Sequence, residues 1–445
     1  MDVIILAAGK STRMKTKKSK VLHKILGQPI LSYVVELAQE VEAEKTIVVV
    51  APGEKEIPEI YGDTLLYATQ WNQLGTGDAL RAAVDEIEAD KTLVLYGDAP
   101  FLRKESLRGF IEFHHDKDLS ILSVEMDDPT GYGRIIRDDK GVRAIVEEKD
   151  CSESERRIRE INSGILLMDT ALMKENLEKL TSDNAQGEYY LTDLVELFSA
   201  QGKRVDAYLI DDAKETAGIN DRAQLAEGRQ ILQERIIEGH LKNGVSIIDP
   251  SRVYIEPGVK IGPDVEIWPD VYLRGNTVIE EDVYIGPGVD LENCYLESGV
   301  RIDYSKAIEA RVGKNTVVGP YSYLRPGSKI GESCKVGDFV EIKNSTIGDE
   351  TKISHLAYVG DADLGSNINV GCGTIFVNYD GKEKHRSIVG DGAFLGCNSN
   401  LIAPVEIGDN AFVAAGTTVD KDVPADALSI GRVRSQIKED WNKSK

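Results

Sequence analysis

Residues 255–291 decide the fold of the second half of the chain: IEPGVK IGPDVE IWPDVY LRGNTV IEEDVY IGPGVD L. An aliphatic residue stands at every sixth position, and glycine follows several of them. The same period returns in two further frames, residues 312–342 and 389–419. A sustained six-residue period predicts a parallel β-helix. Each hexad then supplies one flat face with its aliphatic residue inward, and three hexads close a triangular coil.

The six-residue frame is interrupted in three places. It slips near residues 291–312 and again near 342–364. Residues 376–388, FVNYDGKEKHRSI, do not fit a hexad, so we expect them to leave the coil as a loop. Loops on a rigid scaffold are where functional sites tend to lie. The sequence therefore points to a site near this loop.

The first 220 residues follow a different pattern, in which short apolar segments alternate with amphipathic ones. The apolar segments predict strands at Thr46–Ala51, Thr92–Tyr96, Leu119–Val124 and Ile165–Met168. The amphipathic segments Ile30–Glu42 and Gly77–Ile87 predict helices. Such alternation is typical of an α/β, Rossmann-like domain with a mostly parallel sheet. Ligands of such sheets bind at the carboxyl ends of the strands.

A single long helix is predicted between the two patterns, at residues 221–242. Its apolar stripe consists of Leu225, Leu232, Ile236 and Leu241. We therefore expect three parts: an α/β domain at 1–220, a helical linker arm at 221–249, and a β-helix domain with a C-terminal tail at 250–445.

The composition excludes several classes of protein. A net charge of −22 argues against a general nucleic-acid binder. The sequence has no long apolar segment and no charged-then-apolar leader, so we expect neither a membrane span nor a signal peptide. Five scattered cysteines without a CxxC pair indicate neither a disulfide framework nor a zinc site. A reducing cytoplasm fits this cysteine usage best.

The opening segment, residues 5–29, contrasts with this acidic total: ILAAGKSTRMKTKKSKVLHKILGQP. Its GKST is not the end of a P-loop, because Ile4 stands where that motif needs its first glycine. An apolar strand instead runs into small residues and then into a series of lysines and an arginine. This arrangement suits a phosphate-rich ligand. A solvated basic loop is the alternative that the segment by itself leaves open.

Asp98 follows another predicted strand, in the sequence TLVLYGDAP. It lies at a carboxyl end, where a ligand or metal would bind. It would equally well cap the helix that follows, as aspartate often does at such a turn.

In order and spacing, the motifs of both halves resemble one family. The first half carries LAAGKSTRM, SKVLHKI, QLGTGDA, LYGDAP, GYGRI, IVEEKD, INSGI and GINDR, as in sugar-1-phosphate nucleotidylyltransferases. The second half carries LRPGSKIG, GDFVEIKNS, ISHLAYVGDADLG, NINVGCGT and NYDGKEK. Together, over nearly the whole chain, they resemble the bifunctional N-acetylglucosamine-1-phosphate uridylyltransferase / glucosamine-1-phosphate N-acetyltransferase family.

The resemblance implies two reactions and a left-handed β-helix. The second half would acetylate the amine of glucosamine 1-phosphate with acetyl-CoA. The first half would then join N-acetylglucosamine 1-phosphate to UTP, releasing pyrophosphate and using Mg²⁺. It also implies a cytoplasmic homotrimer that acts on small molecules, with no nucleic acid or membrane as partner.

For the uridylyl reaction, the resemblance assigns four groups of residues. Nucleotide binding falls to Leu6, Ala7, Ala8, Gly9, Lys10, Lys20, Gln70, Gly75, Thr76, Tyr96 and Gly97. Catalytic cations are Arg13 and Lys20, and the metal pair is Asp98 and Asn220. The sugar pocket comprises Gly133, Glu147, Asn162 and Asn220. Phosphoryl-type transfer consists mostly of positioning and charge neutralisation, which cations and a metal supply.

For acetyl transfer, the resemblance assigns His355 as the general base, oriented by Glu341. Sugar-phosphate binding falls to Arg325, Lys343, Tyr358 and Asn369, with Lys384 as a further cation. Acetyl-CoA binding falls to Cys372, Asn378, Tyr379, Cys397, Ala415 and Arg432. The chemistry needs a base, because a protonated amine is not nucleophilic and histidine titrates near neutral pH.

Four positions depart from the family pattern. Ser11 stands where the family has glycine, and we expect it to keep an ordinary backbone conformation and to narrow the space over the phosphates. Ser19 precedes Lys20 where proline is common. Cys372 and Cys397 stand where alanine and serine are expected, and oxidation of Cys397 could impair the site.

Other functions are weaker matches. A zinc hydratase would need three histidines, and the β-helix half has only His355 and His385. A non-catalytic regulatory subunit would not need the intact set of catalytic residues. The enzymatic alternative is a nucleotidylyltransferase for another sugar 1-phosphate, with a purely structural β-helix.

Overall fold

The computed structural model describes residues 1–9 and 11–443. Lys10, which belongs to the predicted nucleotide loop, lies outside the described residues. The chain divides into two compact units, Met1–Leu232 and Gln233–Lys445. Among the described residues, no helix combines the length and apolar character needed to cross a membrane.

A mostly parallel sheet forms the centre of the first unit. Its strands are β1 Asp2–Leu6, a small separate hairpin of β2 Lys24–Ile25 and β3 Gln28–Pro29, β4 Thr46–Val50, β5 Leu66–Thr69, β6 Lys91–Tyr96, β7 Leu119–Glu125, β8 Arg134–Asp138, β9 Gly141–Val146, β10 Glu160–Asp169 and β11 Val205–Ile210. The order across the sheet is β11-β7-β10-β6-β1-β4-β5, and β8 pairs with β9 and β10. Strand β10 runs antiparallel to its neighbours β6 and β7, and β8 runs antiparallel to β9 and β10. Because β1 lies in the middle, flanked by parallel β4 and β6, its carboxyl end opens next to theirs.

Helices cover both faces of this sheet. They are α1 Ile30–Glu40, α2 Glu56–Tyr61, α3 Thr76–Ala83, α4 Lys104–Phe113, α5 Thr170–Leu177 and α6 Asp193–Ala200. A seventh helix, α7 Arg222–Lys242, follows the last strand. Successive residues of a strand point to opposite faces. Accordingly, Val3 and Ile5 of β1 belong to one buried cluster, and Ile4 and Leu6 belong to the other.

The predicted strands and helices of this half are confirmed, with shifts at their ends. The segment Gly77–Ile87 is an α-helix only to Ala83 and then continues as a 3₁₀ turn, Val84–Glu86. The long predicted helix is present as α7. The division between the two compact units falls inside it, between Leu232 and Gln233.

Parallel strands on three faces build the second unit, which confirms the β-helix. The first face contains Ser246–Ile247, Glu266–Ile267, Tyr284–Ile285, Arg301–Ile302, Val317–Val318, Asn369–Val370, Phe394–Leu395, Phe412–Val413 and Leu428–Ser429. The second contains Val253–Ile255, Val271–Arg274, Asp290–Glu292, Lys306–Ile308, Tyr323–Leu324, Ile375–Val377, Asn400–Ile402 and Thr418–Val419. Two longer strands, Lys335–Lys343 and Lys352–Gly360, run from the first face round to the second. The third contains Lys260–Ile261, Val278–Ile279, Tyr295–Leu296, Arg311–Val312, Lys329–Ile330, Thr346–Ile347, Ala362–Leu364, Ser387–Val389 and Val405–Ile407.

The hexad positions line the inside of the coil. Ile255, Leu273, Ile342 and Leu401 are fully buried, each with 0% of its surface exposed. One continuous, mostly aliphatic cluster runs through the unit from Ile237 to Val423. Burial of this column of aliphatic side chains is what holds successive coils in register.

The length of the coil varies along the prism, and this decides which side chains become neighbours. In the two long strands, facing residues are 17 apart, as in Asp338 opposite His355. Across the loop the offset rises to 25, with Asn369 opposite Phe394. Beyond it, facing residues are 18 apart, and in the last coil they are 16 apart, with Phe412 opposite Leu428.

The loop is shorter than predicted from the sequence. Phe376 lies in a strand with its side chain fully buried in the core, and Ser387 begins the next strand. Only residues 378–386 leave the coil, so the prediction of an insert at 376–388 is too wide. The reason is that Phe376 takes the inward position of an ordinary coil, although it is not aliphatic.

Candidate functional sites in the two units

The first unit has a cleft of about 380 Å³ where β1 and β6 end. The predicted residues that line it are Leu6, Ala7, Ala8, Gly9, Lys20, Gln70, Gly75, Thr76, Tyr96 and Asp98. Sequence reasoning missed four further lining residues, Val21, Gln73, Ala79 and Glu188. Of these, Gln73 holds the loop itself, because its amide donates to the Ala8 carbonyl oxygen at 2.5 Å. The small residues Ala7–Gly9 leave backbone groups accessible at the floor of the cleft.

Two oxygens at the edge of this cleft converge on one cation. The Lys20 ammonium is paired with the Asp98 carboxylate and donates to Asn220 Oδ1 at 3.0 Å. Arg13 donates to the same Asn220 oxygen at 2.7 Å. A Cβ on Gly218 would lie 3.7 Å from the Asn220 amide and 3.9 Å from the Asp98 carboxyl carbon. Arg13, Lys20, Asp98 and Asn220, from three separate parts of the sequence, therefore form one compact charged cluster.

This pair of oxygens fits a magnesium ion. A carboxylate and an amide oxygen already share one positive charge, that of Lys20. Magnesium is usually held by one or two protein oxygens, with phosphate and water completing its shell. No group of three or more His, Cys, Asp or Glu side chains that could hold a metal occurs among the described residues. The cluster suits a metal shared with phosphates better than a metal caged by the protein alone.

Gln70 and Gly75 lie together at one side of the cleft. The Gln70 amide donates to the Gly75 carbonyl oxygen at 2.8 Å and to Asp78 at 2.9 Å, and only 5% of the Gln70 surface is exposed. Gly75 has a φ of 110°, and a Cβ there would lie 2.6 Å from the Tyr189 carbonyl oxygen. Only glycine tolerates that conformation and that contact. Thr76 then begins α3.

Three of the predicted sugar-pocket residues, Gly133, Glu147 and Asn162, lie near Tyr96, and the fourth, Asn220, belongs to the charged cluster. A Cβ on Gly133 would lie 3.3 Å from Glu147 Oε1, so these two positions are in contact. Asn162 Oδ1 accepts from the Gly164 N–H at 2.9 Å, and Gly164 packs against the Tyr96 ring. Burial, and then the charges of Glu147 and Asp98, raise the pKa of Tyr96, which stays protonated. Burial likewise raises the pKa of Glu147.

Ser11 corrects one expectation. It adopts the left-handed conformation, with φ 52° and ψ 18°, rather than an ordinary one. Its hydroxyl accepts from the backbone N–H of Lys20 at 2.8 Å and donates to the Gly9 carbonyl oxygen at 3.4 Å. The backbone therefore keeps the turn that glycine would make, and the added hydroxyl ties the loop to the segment that carries Lys20. Ser19, with φ −53°, precedes the 3₁₀ turn Lys20–Leu22 and makes no side-chain cap.

In the second unit, His355 lies on the edge between the first and second faces. Its Nδ1 is 2.7 Å from Asp338 Oδ1 on the preceding coil. The hydrogen bond to His355 lowers the pKa of Asp338, so this carboxylate is ionised at neutral pH. An ionised partner makes Nδ1 the protonated nitrogen and leaves Nε2 as the acceptor.

The predicted pairing of His355 with Glu341 is wrong. Glu341 faces Tyr358, and its Oε1 accepts from the Arg325 guanidinium at 2.7 Å. Glu341 is only 14 positions before His355, whereas facing residues in these two strands are 17 apart. Glu341 lies three positions after Asp338 on the same strand, and it therefore faces Tyr358 and not His355.

Two lysines crowd together near Asp361 and the loop. Lys343 Nζ is 3.7 Å from Asp361 Oδ2, and Asn378 donates to the same oxygen at 2.5 Å. The Lys343 amine, through hydrogen bonding and charge, lowers the pKa of Lys384. Tyr358 OH accepts from the Asn378 amide at 3.4 Å. Cations that destabilise one another in this way favour an added anion.

The remaining predicted residues occupy defined places on the same unit. Cys372, Cys397 and Ala415 follow His355 at the same edge on successive coils. Arg432 donates to the Ala415 carbonyl oxygen at 2.7 Å. Two predicted residues lie off this edge: Asn369 lies on the first face, between Lys352 and Phe394, and Tyr379 bridges to Lys384 within the loop.

Asp338 is the functional candidate that sequence reasoning missed. The motif GDFVEIKNS contains two acidic residues, and resemblance favoured the second. The signal that would have found Asp338 is the shortened coil, because the hexad frame slips immediately after residue 342. Counting 17 residues back from His355 gives Asp338.

Comparison with known proteins gives matches over both halves. Residues 3–160 match the family described as MobA-like NTP transferase domain, and residues 258–292, 309–344 and 386–421 match bacterial transferase hexapeptide repeats. The Bifunctional protein GlmU of Acetivibrio thermocellus is 48% identical over 444 residues, covering 98% of this chain and 96% of that protein. The protein of the same name from Brevibacillus brevis is 47% identical, covering 99% and 97%. That of Alkaliphilus metalliredigens is 46% identical, covering 99% and 98%.

A nucleotidyltransferase sheet and a hexapeptide prism in one chain define a bifunctional transferase. The matches over nearly the full length make the assignment specific, and the chain belongs to the GlmU family. It is accordingly an enzyme of UDP-N-acetylglucosamine biosynthesis, with UTP and acetyl-CoA among its substrates.

Proposed function

We propose that the cleft of the first unit performs uridylyl transfer with the residues described above. A phosphate oxygen of N-acetylglucosamine 1-phosphate attacks the α-phosphorus of UTP. The bond from that phosphorus to the oxygen bridging to the β-phosphate breaks, and pyrophosphate leaves. The attacking oxygen is already anionic, so positive charge is needed more than a base. The observation that supports this role is the convergence of Arg13, Lys20, Asp98 and Asn220 at the carboxyl edge of the sheet.

Each part of UTP and the sugar has a proposed binding group. The backbone of Leu6–Gly9 and the side chain of Gln70 hold the nucleotide, together with Gly75, Thr76 and Tyr96. Gly133, Glu147 and Asn162 hold the sugar, next to Tyr96. Support comes from the cleft lining and from the contacts that place Glu147 and Asn162 around Tyr96.

Asp98 and Asn220 are the proposed magnesium ligands. When bound, the ion would neutralise phosphate charge during transfer. The Lys20 ammonium, which now bridges these two oxygens, would then be available to the phosphates. Titration with Mg²⁺ should release Lys20 from this pair. An Asp98→Asn variant that binds UTP with unchanged dependence on Mg²⁺ would contradict the assignment.

For acetyl transfer, we propose His355 as the general base. Its Nδ1 is held by Asp338, so Nε2 takes a proton from the amine of glucosamine 1-phosphate. The amine nitrogen then attacks the thioester carbonyl of acetyl-CoA. The carbon–sulfur bond breaks, and the departing thiolate takes up a proton. Asp338, rather than Glu341, positions the base, and Glu341 positions Arg325.

A phosphate and a thioester have proposed places on the same unit. Lys343 and Lys384 bind the sugar phosphate together with Arg325, Tyr358 and Asn369; the mutual repulsion of the two lysines supports this role. The acetyl-CoA contacts are assigned to Cys372, Asn378, Tyr379, Cys397, Ala415 and Arg432. The stacking of Cys372, Cys397 and Ala415 beyond His355 supports a ligand that runs along the edge of the prism.

The assembly is proposed to be a cytoplasmic homotrimer. Three coils side by side would enclose the acetyl-CoA cleft between subunits, and residues 221–249 would serve as the arm that joins the two domains. Sedimentation of the full chain tests this, and a monomer with full acetyl transfer would contradict it.

One preparation of the full chain tests the two activities separately. Glucosamine 1-phosphate with acetyl-CoA should give N-acetylglucosamine 1-phosphate, and that product with UTP should give pyrophosphate. Lys343→Ala should weaken only the first reaction, through the KM for the sugar phosphate. Loss of both reactions, or an unchanged KM, would show that the lysine pair is not the phosphate site.

A further inference from the structure

Cys372 and Cys397 face each other on neighbouring coils. Strand register pairs residues 25 apart on both sides of this position. The N–H of Asn398 donates to the Cys372 carbonyl oxygen at 2.8 Å, which fixes the two turns together. In-register parallel strands lie about 4.8 Å apart. This spacing falls within the range of about 4.4–6.8 Å between the Cα atoms of disulfide-bonded cysteines.

These two cysteines differ from the other three in accessibility. Cys372 and Cys397 are exposed, whereas Cys151, Cys294 and Cys334 are buried. Burial raises the pKa of each of the three buried thiols, which makes them poor nucleophiles. An oxidant in solution therefore meets one pair of thiols in this chain, and the two stand at facing positions of neighbouring coils.

The pair also lies directly beside His355. Facing residues are 17 apart on both sides of this position, which puts His355 opposite Cys372. The N–H of Gly373 donates to the Leu356 carbonyl oxygen at 2.7 Å and joins these two turns. A covalent change at Cys372 therefore takes place one coil away from the proposed catalytic imidazole.

We propose that Cys372 and Cys397 form a reversible disulfide that switches acetyl transfer off, a role that rests on the proposed acetyl site. The co-reactant is a peroxide. One thiolate sulfur attacks a peroxide oxygen, the oxygen–oxygen bond breaks, and a sulfenic acid forms with loss of water or alcohol. The second thiol then attacks that sulfur, a sulfur–sulfur bond forms, and water leaves. Two thiols are oxidised by two electrons, the peroxide is reduced by two, and a small thiol reverses the change by exchange.

The disulfide would act on the acetyl-CoA side of His355. It replaces two separate thiols by a rigid bridge across two coils, in the place assigned to the thioester. The cleft of the first unit contains neither cysteine. Uridylyl transfer should therefore continue while acetyl transfer stops.

The test uses the full chain, treated with hydrogen peroxide or left reduced. Peptide mass spectrometry should find Cys372 linked to Cys397, two hydrogen atoms lighter than the separate thiols. Acetyl transfer, followed by chromatography of the sugar product so that no thiol reagent is present, should fall at least about tenfold. Dithiothreitol should restore it, and pyrophosphate release from UTP should stay within about twofold throughout.

Single variants supply the control. Cys372→Ser and Cys397→Ser are each compared with their own reduced form, and neither should lose acetyl transfer reversibly on oxidation. Oxidation without a Cys372–Cys397 link, or a link that leaves acetyl transfer intact, would overturn the proposal. Acetyl-CoA should protect the pair; a link that forms equally fast with saturating acetyl-CoA would count against the proposed binding site, independently of the disulfide.

Discussion

Removal of the Ser11 hydroxyl tests how this chain holds its catalytic lysine. Ser11→Ala deletes the oxygen that accepts from the Lys20 backbone N–H at 2.8 Å. A hydrogen bond of this kind stabilises by about 1 kcal/mol. Alanine also bears the cost of the left-handed backbone that Ser11 adopts, with φ 52°. The ordered loop should therefore be weakened by about 1 kcal/mol, and uridylyl transfer should fall about fivefold.

Ser11→Gly separates the hydroxyl from the backbone. Glycine loses the same hydrogen bond, but it removes the cost of a left-handed residue, about 1 kcal/mol. The two changes nearly offset each other, so this variant should stay within about twofold of the natural enzyme. Ser19→Ala is the matched control, because Ser19 adjoins Lys20 and makes no side-chain cap. It should leave the rate unchanged.

The measurement is kcat/KM for UTP from pyrophosphate release, with acetyl transfer on the same preparation as the internal reference. The value of kcat/KM should be highest in the natural enzyme and in Ser19→Ala, somewhat lower in Ser11→Gly, and lowest in Ser11→Ala. If Ser11→Ala equals the natural enzyme while Ser11→Gly is slower, the hydroxyl does not hold Lys20 and the reasoning is refuted.

Three further predictions concern other groups. His355→Ala should lose acetyl transfer by ~10²–10⁴-fold, and Asp338→Asn should lose less; pyrophosphate release should survive in both, and a joint loss of the two activities would contradict the assignment. Asp98→Ala should abolish most uridylyl transfer at ordinary magnesium and leave acetyl transfer intact, as assayed on one preparation. Burial lowers the pKa of His114 from 6.5 to about 4. Between these pH values the histidine is protonated in the unfolded chain and neutral in the folded one. The free energy of unfolding should therefore fall as pH drops from about 6.5 towards 4, by about 3 kcal/mol at most. Thermal unfolding of His114→Asn should show a weaker dependence of stability on pH. An equal dependence in the variant and the natural protein would exclude His114 as its source.

The opening loop shows why part of the site was readable from sequence. An apolar strand, small residues and cations in succession predict a phosphate site at a sheet edge, and Gly9 and Lys20 do line the cleft. The left-handed conformation of Ser11 could not be predicted from the sequence, because the type of a residue favours certain φ values without determining φ. The tertiary contact to Lys20 helps to hold this serine where glycine would be expected.

The sequence alone determined the prism and its inward residues. In each hexad the repeated aliphatic residue is the one that must be buried, so the six-residue period identifies it. What it did not determine is how many residues each coil contains where the period slips. That number depends on which residue takes each inward position, as Phe376 does without being aliphatic. An offset of 17 rather than 18 shifts every facing pair by one position. For this physical reason only the tertiary structure decided that Asp338, and not Glu341, lies beside His355, and that Cys372 faces Cys397.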